Sequence, residues 1–563
     1  MSVIVNKICI IIIYLILMQF FLARSLVIHY NLFGKYKRSS YTEQLVKYKP
    51  YFIIAICIRG DFLITTQGLK PFQHIDLQKH QFAPLYDALN IYESQQVTSF
   101  DVPGHKRGID KSYRLNEYGI KTLRHDVNSM PQLDNFDHPT SVIKEAQSLM
   151  ADLFLADAAH FLVNGTTQGI QAMLLSVCKP KDKLIVPRNV HKSVLNAMAL
   201  ADITPIYIVP EFDTQFGISH NVSVQTVKQT IAQHPDAKAV FVINPTYFGA
   251  ASHLKEIVDL AHQHNMKVLV DEAHGAHLRF SDKLPMSSME AGADLAATSL
   301  HKTGGSFTQT SILLVRGDEA LQHKVKSVIN ILTSTSASYL LMSSLDLARQ
   351  HLAKDGKSKI EHVLTLVDDF KAEINKVPGF HMLDETHFET TYDQYLDPTK
   401  LTIYIDHHMP ISGFEVYKLL RSDYDIQMEL SEPNMIMGIV SFMDNATELN
   451  TLLEALKDIS KRFYRVNEND VSPMLKQLEI PEQKMGLRDV FYSEKKAIKL
   501  HDALGKVCAE SLMIYPPGIP ILMAGEVISQ DVIDYWEFVN NQPIIKIGAE
   551  NKNEIYIVEE NEK

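Results

Sequence analysis

Between residues 159 and 275 short apolar runs alternate with stretches of helical spacing, and this alternation limits the fold more than any other feature of the chain. AHFLVNG (159–165), KLIVP (183–187), TPIYIVP (204–210), AVFVINP (239–245) and KVLVDEAHG (267–275) read as strands. TTQGIQAMLLSVC (166–178), NVHKSVLNAMALAD (189–202) and HLKEIVDLAHQHN (253–265) read as helices. Strand and helix exchanging at this interval predict crossover units and an α/β domain with a mainly parallel sheet. Ligands of such sheets sit outside the carboxyl ends of the strands, so the residues just after each run are the candidates for chemistry.

The character of the chain changes twice. Before residue 80 it holds apolar runs and basic patches with no amphipathic period; from about Gly379 it becomes α+β, with LTIYID (401–406), GFEVYKLLRSDYDI (413–426) and TELNTLLEALKDISKRF (447–463). The expected organisation is an extension over 1–79, a large domain over 80–375 and a smaller α+β region over 376–563. Within the extension, Ile8 to Ala23 is almost wholly apolar and is followed by Arg24, Lys35, Lys37 and Arg38. A membrane tether through residues 3–23 with the remainder in the cytoplasm, a secretory signal, and a dispensable extension all stay open for it.

The net charge of -11 provides no basic footprint for nucleic acid. Four cysteines, Cys9, Cys57, Cys178 and Cys508, lie far apart without a CxxC pair. That spacing excludes a zinc ribbon, argues against a disulfide framework and fits a reducing compartment; no metal site is expected.

Four segments carry the chemistry. In ATSLHKTGGSFTQTS (297–311), Lys302 follows Ser299 and His301 and precedes two glycines. Alone it reads equally as a surface lysine in a glycine turn or as a Schiff-base lysine whose amine is kept neutral by partial burial. Asp271 ends the run VLVD (268–271), where it serves either a turn or the protonated ring nitrogen of pyridoxal 5'-phosphate (PLP), an electron sink that needs such a partner. NGTTQGIQAM (164–173) combines a strand end, a glycine and a helix start, a place where free N–H groups bind phosphate; Thr166 and Thr167 would cap that helix with or without an anion. In PRNVHKS (187–193), His191 opens a further helix, facing either solvent or the flat side of a ring.

In order and spacing these segments match the layout of fold-type-I PLP enzymes. The chain resembles the Orn/Lys/Arg decarboxylases over roughly residues 80 to 550, in the short bacterial form without an N-terminal wing domain. The matching motifs are FDVPGHKRG (100–108), VINPTYFG (242–249), VDEAHGAH (270–277), AATSLHKTGGSFTQTS (296–311), LTSTSASYLLMSSLD (332–346) and YPPGIPI (515–521). The resemblance implies a family C-terminal domain at about 485–550 and the following roles. Lys302 holds PLP as a Schiff base, Asp271 pairs with its ring nitrogen and His191 stacks on the ring. Thr166, Thr167 and Ser299 hold the phosphate. Ser334 reaches the phosphate of a partner subunit across a homodimer interface. His301 handles protons near the substrate carboxylate, and His274 borders the pocket. Glu526 receives the distal cation of the substrate, although AGEV stands where the family has proline-glycine-glutamate. The implied reaction is decarboxylation of a basic amino acid, with arginine to agmatine, a step towards polyamines, ranked before lysine and ornithine. An aminotransferase shares Asp271 and Lys302, but no evident C-terminal arginine motif for a second carboxylate is present. A catalytically silent scaffold is the remaining alternative.

Overall fold

The computed structural model describes residues 56–58, 61–63, 72–213, 216–465, 478–515, 519–541, 545–549, 551 and 554–559. Residues 1–69 and 70–563 form separate units. In the first, Ile56–Ile58 pairs antiparallel with Asp61–Leu63. The stretch 3–23 lies outside the described residues, so its reading as a tether is not addressed. Among the described residues no helix is long and apolar enough to cross a membrane.

The second unit is built on a seven-stranded sheet. Its strands are β1 (Ala158–Leu162), β2 (Lys183–Pro187), β3 (Thr204–Ile208), β4 (Ala239–Ile243), β5 (Lys267–Asp271), β6 (Leu295–Thr298) and β7 (Ser311–Val315). Their spatial order is β1-β7-β6-β5-β4-β2-β3. Only β7 runs against the others. The connecting helices include α1 (Gly165–Val177), α2 (Lys192–Ala201), α3 (Val224–Gln233) and α4 (Leu254–Gln263). The expected α/β architecture with a mainly parallel sheet is what the chain adopts.

Both faces of the sheet are covered, which is why its strands are apolar without alternation. Val240, Val242, Val268 and Val270 enter one hydrophobic core, while Ala239, Phe241 and Leu269 enter the core on the opposite face. α1 lies close on that second face because Gly169 has no side chain. A Cβ there would stand 2.9 Å from both the Ala297 Cβ and the Leu162 Cδ1. Gly169→Val is therefore expected to cost about 1–3 kcal/mol of stability through overpacking, and a thermal melt compared with wild type checks it.

Beyond the long helix α5 (Tyr339–Ile374) comes a second, antiparallel sheet: β8 (Phe380–Met382), β9 (Lys400–Ile405), β10 (Leu430–Glu432) and β11 (Met435–Ile439), in the order β8-β9-β11-β10. Helices α6 (Gly413–Tyr424) and α7 (Ala446–Phe463) accompany it, each opened by a capping box, Ser412 with Glu415 and Asn445 with Glu448. A last core gathers around Trp536 of α8 (Gln530–Asn540) beside β12 (Leu512–Tyr515), β13 (Ile519–Leu522) and β14 (Ile545–Ile547).

Candidate active site

Parallel pairing brings the chemistry to one edge. In register Asp271, the last residue of β5, stands opposite Ala297 of β6. β6 ends at Thr298 and passes through Ser299 into a single helical turn, Leu300–Thr303, which carries Lys302. β1 delivers the start of α1 to the same edge, and β2 delivers the start of α2. A cavity of about 390 Å³ opens there, lined by Gly165, Thr166, Thr167, His191, Asp271, His274, Ser299, His301 and Lys302, nine residues brought together from four segments of sequence.

Lys302 faces the cavity and its Nζ lies 2.8 Å from His274 Nε2. Although the cavity leaves the side chain accessible to solvent, the surrounding protein lowers its pKa through desolvation, a shift partly offset by Asp271. His274 is buried and its pKa falls well below the usual value, by desolvation first and then by the charge of Lys302. A neutral imidazole accepts the lysine N–H, and its buried Nδ1 has no hydrogen-bond partner among the described residues. The Asp271 carboxyl is also buried, and desolvation raises its pKa. Its Oδ1 accepts the Ala273 N–H at 3.1 Å, so the turn reading and the cavity reading of this residue hold together.

The phosphate end is shaped by α1. Gly165 takes a positive φ of 70°, and a Cβ placed on it would meet nothing within 4 Å. The helix N-cap is Asn164, with no side-chain cap, whereas Thr166 and Thr167 lie inside the first turn. The capping role expected of the two threonines is thus corrected. Thr166 is buried and bonds the hydroxyl of Ser299 and, at 2.8 Å, that of Ser311; Thr167 is exposed to the cavity. An uncapped helix start with clustered hydroxyls and open space before it suits a phosphate.

His191 is the N-cap of α2, where its Nδ1 accepts the Ser193 N–H at 3.2 Å. Desolvation lowers its pKa to about 4, so the ring stays neutral and apolar enough to stack. His301 directs Nδ1–H to the Thr310 carbonyl at 2.6 Å, and desolvation holds its pKa below the usual value.

Two expected residues lie elsewhere. Ser334 is exposed outside the cavity of its own chain, and its Oγ accepts the Ser336 N–H at 3.2 Å. Glu526 is fully buried away from the cavity: Oε1 accepts from Arg188 at 2.6 Å, and Oε2 accepts from Arg188 at 2.8 Å and from the Met523 N–H at 2.7 Å. Glu526 does not line the cavity of its own chain, and Arg188 already supplies it with a cation. Its work here is to neutralise Arg188, the residue that follows β2. Glu526→Ala should lower stability by about 3–5 kcal/mol, because it strands a largely buried guanidinium. A thermal midpoint left unchanged, with a raised KM, would contradict this structural role.

Sequence reasoning passed over Tyr247 and Glu429, which also line the cavity and bond each other through the tyrosine hydroxyl. The Tyr247 ring meets His274 edge-on with centroids 4.6 Å apart. Also unforeseen was a buried set behind Lys302, in which Asp397 takes His277 at 3.1 Å and Lys400 at 3.6 Å.

The comparisons with known proteins agree with this arrangement. Residues 83–448 match the family model described as Orn/Lys/Arg decarboxylase, major domain, and residues 474–543 match the model of its C-terminal domain. An arginine decarboxylase of Bacillus anthracis is 43% identical over 453 residues, spanning 80% of this chain and 92% of that protein. One from Bacillus subtilis is 41% identical over 463 residues, 82% of this chain and 94% of that protein. Among solved structures, the Francisella novicida lysine decarboxylase superposes with a TM-score of 0.72 at 21% identity, covering 85% of this chain and 81% of the other, which speaks to the fold alone. Ordered motifs, cavity and matched length lead to one assignment: the chain belongs to the Orn/Lys/Arg decarboxylase family.

Proposed function

We propose that this chain is a PLP-dependent decarboxylase of basic amino acids, with L-arginine as its substrate and agmatine and CO2 as its products. The observation that carries the proposal is the meeting of Lys302, Asp271 and His191 around one cavity whose far wall is an uncapped helix start rich in hydroxyls. These residues fit PLP. A buried carboxyl with one backbone donor, a desolvated lysine and a neutral histidine with an orphaned nitrogen are what a charged aromatic aldehyde would complete. When bound, PLP supplies an electron sink for the pair released as the α-carboxylate leaves.

The remaining work belongs to the chain. Lys302 is the amine that would hold the cofactor and give way to the substrate amine. Asp271 keeps a negative charge where the ring nitrogen needs a proton. His191 fixes the ring plane, and Gly165, Thr166, Thr167 and Ser299 anchor the phosphate. His274 accepts the Lys302 N–H as a hydrogen bond and so orients the amine, and His301 stands where a proton can be returned to Cα. At the mouth Glu429, braced by Tyr247, replaces Glu526 as the carboxylate for the distal cation. One carboxylate accepts ammonium or guanidinium, so the preference for arginine rests on the similarity to the arginine decarboxylases over nearly their whole length. Steady-state rates on arginine, lysine and ornithine test it: kcat/KM should be highest for arginine, and a higher value for lysine would reverse the choice.

Two further readings accompany the proposal. Phe100, Ile109, Phe307 and Ile331 are strongly exposed apolar side chains, as expected of a surface covered by a second copy, and Ser334 lies on the outside where it can serve a partner's phosphate. The cytoplasmic reading is supported by Cys178 and Cys508, both free and buried thiols.

A further inference from the structure

A second cavity, of about 140 Å³, adjoins the first and shares Asn189, Ser219 and Phe248 with it. Its walls are mostly apolar, from Val209, Pro210, Ile218, Ile480, Pro520 and Ile521. Glu432, the last residue of β10, lines this space while only 7% exposed, and its buried Oε2 has no hydrogen-bond partner among the described residues. The cation on the same wall does not serve it, because Arg188 is held by both oxygens of Glu526. A carboxyl removed from water and left without a partner is costly, and a fold that keeps one inside an apolar cavity invites a donor from outside. Desolvation alone raises its pKa to about 8, the sign of a site that lacks its counter-charge.

We propose that this side cavity binds an alkyl cation, an ammonium or guanidinium group at the end of an aliphatic chain, with Glu432 as the acceptor. The apolar walls suit methylene groups, and Glu432, the buried one of two carboxylates that line the cavity (Glu479 is exposed), suits one terminal cation. Such a group comes either from a free amine in solution or from the far end of an amino acid seated in the main cavity, which Glu432 then holds in place of Glu429. Binding does not require turnover, so the site is testable apart from the decarboxylase reading.

The test uses the full chain with PLP and the variants Glu432→Gln and Val209→Trp. The latter fills the cavity from a residue that is 44% exposed and tolerant of bulk. Agmatine and 1,5-diaminopentane are titrated by calorimetry, and KM for arginine is measured in parallel. Each variant should weaken one of the two by about tenfold, ~1.4 kcal/mol. A raised KM with amine binding that competes with substrate supports the site and assigns it to the substrate's far end. An unchanged KM, with loss of an amine-binding event that does not compete with substrate, supports it and assigns it to a free amine. The proposal fails if folded variants, judged by their thermal midpoints, change neither quantity more than twofold.

Discussion

Lys302→Ala is expected to lower decarboxylation by roughly 10³-fold or more while the chain stays folded, since the amine that holds the cofactor has no substitute. Lys400 stands near Lys302, but it is fully buried against Asp397 and does not line the cavity. Lys302 projects from an exposed position on a single helical turn, and its side chain fills no core, so stability should hardly move. Two readouts separate a chemical role from a structural one. The visible absorption band of the lysine-bound cofactor should vanish in the variant, whereas its thermal midpoint without PLP should match wild type. A variant that keeps both band and activity would contradict the assignment.

Asp271→Asn should follow with a loss of roughly 10²–10³-fold in kcat. Asparagine preserves shape and the hydrogen bond from Ala273, but it removes the charge that keeps a ring nitrogen protonated. The effect should fall on kcat far more than on substrate KM, because the carboxylate acts on the cofactor and not on the amino acid. A secondary consequence concerns stability. The Asp271 pKa is raised by burial in the cofactor-free chain, so its ionised form destabilises that state as pH rises above the ordinary carboxylate value. Asp271→Asn should therefore stabilise the cofactor-free chain at neutral pH, a sign opposite to its effect on activity. Thermal melts across pH 4 to 8, with and without PLP, read both signs.

Much of this was legible in the sequence because the site hangs on strand ends. Apolar runs without alternation locate a sheet buried on both faces, and the first polar residue at the end of such a run must sit at its edge, as Asp271 does; His191 stands out as the residue that opens the helix after such a run. Lys302 needed more, since a lysine in a glycine turn is unremarkable until β6 is known to lie beside β5. What stayed hidden has a common cause. The Arg188–Glu526 pair joins residues 338 positions apart, and local sequence holds no trace of a pairing at that range. The role expected of Glu526 therefore rested on the family resemblance alone. The buried Lys400 and Asp397 stand in the segment DPTK (397–400), whose local sequence carries no mark of burial for the same reason. Thr166 and Thr167 misled differently: hydroxyls near a helix start suggest caps, but the positive φ of Gly165 places the turn one step earlier and leaves Asn164 as the N-cap.

The most direct test of the account follows the carboxyl carbon. The full chain with PLP is supplied with L-arginine labelled at C1, and gas and solution products are counted together. One labelled CO2 should appear for each agmatine formed, with no label left in solution as an α-keto acid. Retention of the label in a keto acid, or consumption of arginine without CO2, would contradict decarboxylation as the function of this site.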